Sequence, residues 1–240
     1  MRLDDLLRQQ RNGLTAVRPD GSAASCRRTA YPAYSAMGPW PARAFAVLIW
    51  FLDAGRFLDA VVGVELDLVN LLIGVLIPLS FVVTLACLHE AIPPARRLWT
   101  RLGLVSAGMW ATVSMSAYLR QLTVVRLAEE QSHLGEVSLI GFGELDRTSA
   151  GWSLNVSGWG VFLTLALFFV SPAVVGNGRA RLGRWALRLS GVSMRLLAVG
   201  FAAGSEPVQL LGAGFGWFLG LPVSGLVLAS ILSSARTGTP

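Results

Sequence analysis

The run Leu68–Leu88, LVNLLIGVLIPLSFVVTLACL, contains no charged residue, and that feature removes most folds from consideration. About 20 apolar residues rising ~1.5 Å each in a helix match the ~30 Å hydrocarbon core of a bilayer. A helix on a soluble domain turns one face to water and must carry polar residues there. Inside a bilayer every backbone N–H and C=O needs a partner within the segment or a closed barrel, so a continuous run of this kind reads as a transmembrane helix. Barrels of the outer membrane show short alternating segments instead. Of the 240 residues, 53% are hydrophobic and 14% charged. Soluble domains carry about 25% charged residues.

Further runs of spanning length predict an all-α fold, a polytopic transmembrane helical bundle. Six spans are expected, at 42–62, 68–88, 103–125, 151–175, 185–204 and 208–232. Residues 1–40 read as a polar, unstructured cytoplasmic tail, residues 41–235 as the membrane domain, and 236–240 as a short cytoplasmic tail. The first segment is rich in Arg, Ser and Pro, carries Asp4 and Asp5, and lacks the apolar core of a signal peptide. Met37 offers a second place for translation to begin.

Charge distribution sets the expected orientation. With six spans and both termini inside, fifteen arginines fall in inside segments and two, Arg126 and Arg147, in outside ones. Loops rich in Lys and Arg stay in the cytoplasm. Without the first span, the seven arginines through Arg43 would lie outside, which is why that span is kept despite Asp53, Arg56 and Asp59. Those three charges are spaced i, i+3, i+6, so Arg56 reaches either carboxylate. The net charge of +6 therefore speaks for membrane topology and a bilayer partner, not for nucleic acid. The expected location is a bacterial inner membrane.

The third span, Gly103–Val125, carries two faces. Gly103, Ala107, Ala111 and Ser114 form a small-xxx-small face that lets a neighbouring backbone approach closely. Thr112, Ser116, Arg120 and Thr123 form a polar stripe, costly against acyl chains, that should meet protein, water or headgroups. Arg120 and Gln121 lie near the helix end, where Arg120 can snorkel to the interface. In the fourth span Asn155 shares a face with Trp152, Trp159 and Phe162, and Pro172 marks its end. Arg195 sits at the middle of the fifth span; a charge there is a functional hypothesis by default, and an ion pair with Asp53 or Asp59 inside the bundle would neutralise it. Gly200 and Gly204, and then Gly212, Gly216 and Gly220 in the sixth span, predict close helix packing within the chain or between copies. Pro78 predicts a kink in the second span.

Chemistry is sparse. All basic residues are Arg, so no retinal or pyridoxal Schiff base can form. Cys26 and Cys87 build no disulfide framework. His89 and His133 fall on opposite sides of the expected topology, so no metal set is assigned. The stretch Asn155–Gly158 approaches an intramembrane serine protease motif without its leading Gly, and no His lies deep in a span as base. Glu129, Glu130 and His133 approach a metalloprotease motif without its Arg or further histidines. His89-Glu90 lacks the second His of a zinc helix. No catalytic residue, metal or cofactor is assigned.

Three segments carry a resemblance: YLRQLTVVR (Tyr118–Arg126) before an acidic loop, WSLNVSGW (Trp152–Trp159), and FFVSPA (Phe168–Ala173). They resemble a family of uncharacterised bacterial six-helix integral membrane proteins over about residues 65–235. The resemblance implies fold and location only. The chain departs from the family pattern at Asn155 or Val156, where a carboxylate is usual, and at Arg195. Three functions follow as expectations: a small-solute transporter using the polar stripe, Asn155 and Arg195 as a path; a non-enzymatic structural or regulatory module, with a second copy or another membrane protein as partner; and, last, a lipid-modifying enzyme.

Overall fold

A computed structural model describes residues 39–49, 51, 67–125, 127, 149–176 and 178–237, all within the compact unit Met37–Pro240. The polar head, the charges Asp53, Arg56 and Asp59, and the acidic connection from Arg126 to Thr148, apart from Leu127, lie outside the described residues. Among the described residues the structure is helical and holds no strand. Five helical stretches are long and apolar enough to cross a membrane: Val69–Ala91, Pro94–Val125, Ala150–Ala173, Arg179–Ala203 and Glu206–Ser234. The first apolar segment is described as a shorter helix, Trp40–Ile49.

That short helix is α1. Helix α2 (Asp67–Ala91) continues through Pro78. The Ser80 hydroxyl donates to the Ile77 carbonyl and Thr84 to Ser80, both at 2.7 Å, so each hydroxyl is satisfied within its own helix. Pro93 and Pro94 then stop the helix, and a 3-10 turn, Pro94–Arg96, opens α3 (Arg97–Arg120). Helix α3 runs on into a π-helical turn, Gln121–Val125. Ser149 caps α4 (Ala150–Ser157) by accepting from the Trp152 N–H at 3.1 Å. A second π-helical segment, Gly158–Leu163, leads into α5 (Thr164–Val170) and a 3-10 turn at Ser171–Ala173, around Pro172. Helix α6 is Arg179–Ala203. Helix α7 (Glu206–Ala213), a third π-helical segment (Gly214–Gly220) and α8 (Leu221–Thr237) form the final stretch.

The helices begin and end outside the apolar runs. Helix α6 starts at Arg179 rather than Trp185, and α3 at Arg97 rather than Gly103. Hydropathy registers arginine as a connector, whereas backbone hydrogen bonding carries the helix on into the polar interface.

Close approaches fix the packing order. A Cβ at Gly74 would strike the Tyr118 ring, which sets α2 against α3. One at Gly103 would meet Val170 and one at Gly158 the Ser114 hydroxyl, so α3 runs antiparallel to α4–α5. Gly160 lies against Ala198, placing α6 antiparallel to the same stretch. Gly200 meets Gln209, and Gly183 meets Val227, so α7–α8 returns along α6. Gly225 faces Ala42 and Ala46, and the rings of Phe45 and Phe81 lie 4.8 Å apart, so α1 sits against both α8 and α2.

Burial is arranged as lipid demands. Val69, Leu72, Leu76, Leu79 and Val83 form an exposed apolar stripe down α2, while Ser106, Ser114, Ser190 and Ser224 are buried. Lipid tails are as apolar as Leu, so the interior is selected by close packing and interhelical hydrogen bonds. Ser190 and Ser224 join α6 to α8 at 3.0 Å, and Thr164 donates to the Gly191 carbonyl at 3.2 Å.

Candidate functional site

The centre of the bundle is a series of aromatic rings. Phe81 meets Trp110 edge-on at 5.5 Å, Trp110 meets Trp159 at 4.9 Å, and Trp159 meets Trp217 at 5.4 Å. With Phe45 at one end, the series takes one ring from each of α1, α2 and α3 and from the two later π-helical segments. Edge-to-face contacts at 4.5–7 Å are the favoured geometry for aromatic pairs. Asn155 is 1% exposed, and its Oδ1 accepts from Trp159 Nε1 at 2.9 Å. Asn155 therefore orients the central tryptophan. Trp152 is buried beside it and Phe162 is half-buried.

The two faces of α3 separate except at Arg120, which is half-buried. Gly103, Ala107, Ala111 and Ser114 are buried against neighbouring helices. Thr112, Ser116 and Thr123 are exposed on the outer surface. Each donates back to its own helix: Thr112 to the Gly108 carbonyl at 3.0 Å, Ser116 to Thr112 at 2.7 Å and Thr123 to Leu119 at 2.8 Å. Local back-bonding of this kind satisfies the hydroxyl proton without another helix. Thr112, Ser116 and Thr123 thus point away from the bundle and away from Asn155. Gly108 belongs to this outward face, and a Cβ there would meet nothing within 4 Å.

Arg195 lies exposed on the outer surface of α6, not inside the bundle. Its expected partners Asp53 and Asp59, with Arg56, fall outside the described residues. Helical spacing puts Arg195 in line with Arg188 and Arg181, also exposed. Side chains on a helix lean toward its N-terminus, so Arg195 leans toward the end of the bundle where most arginines gather.

At that end, arginines hold the polypeptide turns. Arg96 Nη1 donates to the Pro172 carbonyl at 2.9 Å, and Arg188 Nε to Ser171 Oγ at 2.8 Å. Arg184 Nη1 serves the carbonyls of Val174 and Gly176 at 3.0 and 3.2 Å. Arg97 reaches the Ile92 and Glu90 carbonyls and lies 3.9 Å from the Glu90 carboxylate. His89 Nδ1 is 2.7 Å from Thr100 Oγ1. At the opposite end, Arg120 Nε and Nη2, Gln121 Oε1 and Asn70 Oδ1 are buried without a hydrogen-bond partner among the described residues. No three His, Cys, Asp or Glu side chains converge there or elsewhere among the described residues.

The glycines divide by role. Gly212, Gly216 and Gly220 pack on α6: a Cβ would collide with Leu197 at the first, Met194 at the second and Ser190 at the third. Gly200 packs on the start of α7. Gly204, expected as a packing position, is exposed and instead terminates α6. Its φ of 69° suits glycine, and the Ser205 N–H closes the turn onto the Gly200 carbonyl at 2.8 Å.

The close glycines Gly158 and Gly160, the stitching roles of the arginines and the aromatic series were not read from the sequence. A signal was present in GWG (Gly158–Gly160) and GFGWFLG (Gly214–Gly220), where tryptophan stands among small residues in the middle of a span. The chain matches no family model, and no curated protein or solved structure shows significant similarity to it.

Proposed function

We propose that this chain is a multi-pass bacterial inner-membrane protein, inserted with its arginine-rich end and both termini in the cytoplasm, that acts as a non-enzymatic module assembling with a second copy of itself. The observation that carries this reading is the outward direction of the polar stripe on α3, while the bundle centre is filled by aromatic rings. Gly108, Thr112 and Ser116 recur every four residues on that outward face, a spacing that brings two helices into close contact. Self-complementary contact between identical helices suits a two-fold dimer. The orientation is supported by the gathering of arginines at one end.

The test compares two glycines on one helix. Gly108→Leu should convert a dimer to a monomer, read by light scattering in detergent and by energy transfer between labelled copies in liposomes, while the fold persists. Gly103→Leu should damage folding itself, because Val170 occupies that space. A monomeric wild-type chain in both settings overturns the reading.

A second reading, a small-solute permease, is favoured by one observation. Three helical stretches contain π-helical turns, and two of these turns meet at Trp159 and Trp217. Such turns occur frequently at functional sites. Solute-dependent uptake into proteoliposomes that depends on Trp159 would decide for it.

A further inference from the structure

Three guanidinium groups from two helices surround the turn Ser171–Gly176. Arg96 comes from the 3-10 turn that precedes α3; Arg184 and Arg188 come from α6. Each is anchored through one nitrogen to a carbonyl or hydroxyl of this turn. A guanidinium carries five N–H donors, so each keeps donors beyond those that anchor it, already fixed in direction. Arg96 and Arg188 are exposed. Glu90, the acid near this end among the described residues, lies beside Arg97 rather than beside this cluster.

Two flanking features point to what such a cluster meets. Trp99 and Trp185 are 41% and 52% exposed, each one turn or less from an anchored arginine, and the Arg188 guanidinium lies 5.7 Å from the Trp185 ring centre. Amphipathic rings of this kind settle at the headgroup level of a bilayer. Beyond Trp185, the exposed side chains of Leu189 and Val192 continue the same outward face of α6 toward the middle of the helix. Charge and aromatic ring thus lie at one level, with Arg188 reaching Ser171 beside Trp185, and the apolar track runs on from Leu189.

We propose that Arg96, Arg184 and Arg188 around the Ser171–Gly176 turn form a binding site for the phosphate of an anionic phospholipid, with its acyl chains lying along Leu189 and Val192. Planar guanidinium forks match phosphate oxygens two at a time. A phosphate there neutralises the crowded arginines and so favours the folded bundle. The site is independent of whether α3 pairs copies, because it lies at the arginine-rich end of the bundle, about three helical turns from Gly108.

The experiment uses the full chain in neutral detergent, followed by thermal unfolding. Phosphatidylglycerol at a hundredfold excess over its Kd should raise Tm by about 5–10 °C. Phosphatidylcholine of the same chain length should not, and neither should inorganic phosphate, which lacks the acyl track. Arg96→Gln with Arg188→Gln should abolish the shift; Arg101→Gln with Arg179→Gln, which removes equal charge from exposed arginines outside the cluster, should keep most of it. Equal shifts with both lipids, an equal shift with inorganic phosphate, or equal loss in both variant pairs overturns the proposal. If the first pair fails to fold, native mass spectrometry of Arg188→Lys replaces it. This variant keeps the charge and loses the fork, so it should retain at least fivefold less phosphatidylglycerol than the wild type, and undiminished retention overturns the site.

Discussion

Trp159 and Trp217 stand edge to face, 5.4 Å between ring centres, and each is carried on a π-helical segment of a different spanning stretch. The irregular turns of the two stretches therefore meet at one contact. Asn155 fixes one side of it through its bond to Trp159 Nε1.

Asn155→Leu should lower stability by about 1–2 kcal/mol, since it leaves a buried N–H without its acceptor. Thermal unfolding in detergent measures this. Asn155→Leu combined with Trp159→Phe should recover part of the loss, because both halves of the bond are then gone. Simple additivity of the two losses would show that the bond contributes nothing.

The glycine ladder should reject bulk at one position and ignore truncation close by. Gly212→Leu should abolish assembly of the bundle, because the backbone of Ser193, Leu196 and Leu197 already fills the space a Cβ would need. Leu219→Ala, at a residue 57% exposed, should change stability by no more than about 0.5 kcal/mol. Equal yields and equal melting of the two variants would contradict the packing of α6 on the last stretch.

Arg195→Met should leave stability unchanged or raise it. The side chain is exposed on α6 and donates no hydrogen bond to the described residues. A buried, paired charge would behave oppositely, with about 3–5 kcal/mol lost when one partner is removed. A loss of that size, restored by a matching Asp53→Leu, would show that a first-span carboxylate holds it.

Orientation is tested by single cysteines introduced into a chain lacking Cys26 and Cys87. Glu206→Cys, at the turn between α6 and α7, should react with an impermeant thiol reagent from outside intact cells. Arg179→Cys, at the start of α6, should react only after the membrane is opened. The reverse pattern would invert the proposed topology.

The membrane class was legible in the sequence because it depends on length and hydropathy, which are local properties of each run. The run Leu68–Leu88 announces a span whatever surrounds it. Helical periodicity grouped Gly103, Ala107, Ala111 and Ser114 on one face for the same reason: it sorts side chains by angle before any neighbour is known. Periodicity also grouped Thr112, Ser116 and Thr123, but angle alone does not say which side neighbours occupy. Only the tertiary structure turned that stripe outward and Arg195 with it, because the position of α4–α5 and α2 around α3 decides which face is covered. The π-helical turns and the meeting of Trp159 with Trp217 were decided there too, since one extra residue in a turn leaves no mark in composition and a contact between distant spans leaves none in local pattern. Gly204 shows the limit in a single residue. Its spacing from Gly200 matches a packing motif, yet its backbone sits at positive φ and ends the helix, a distinction made by dihedral angle rather than by residue type.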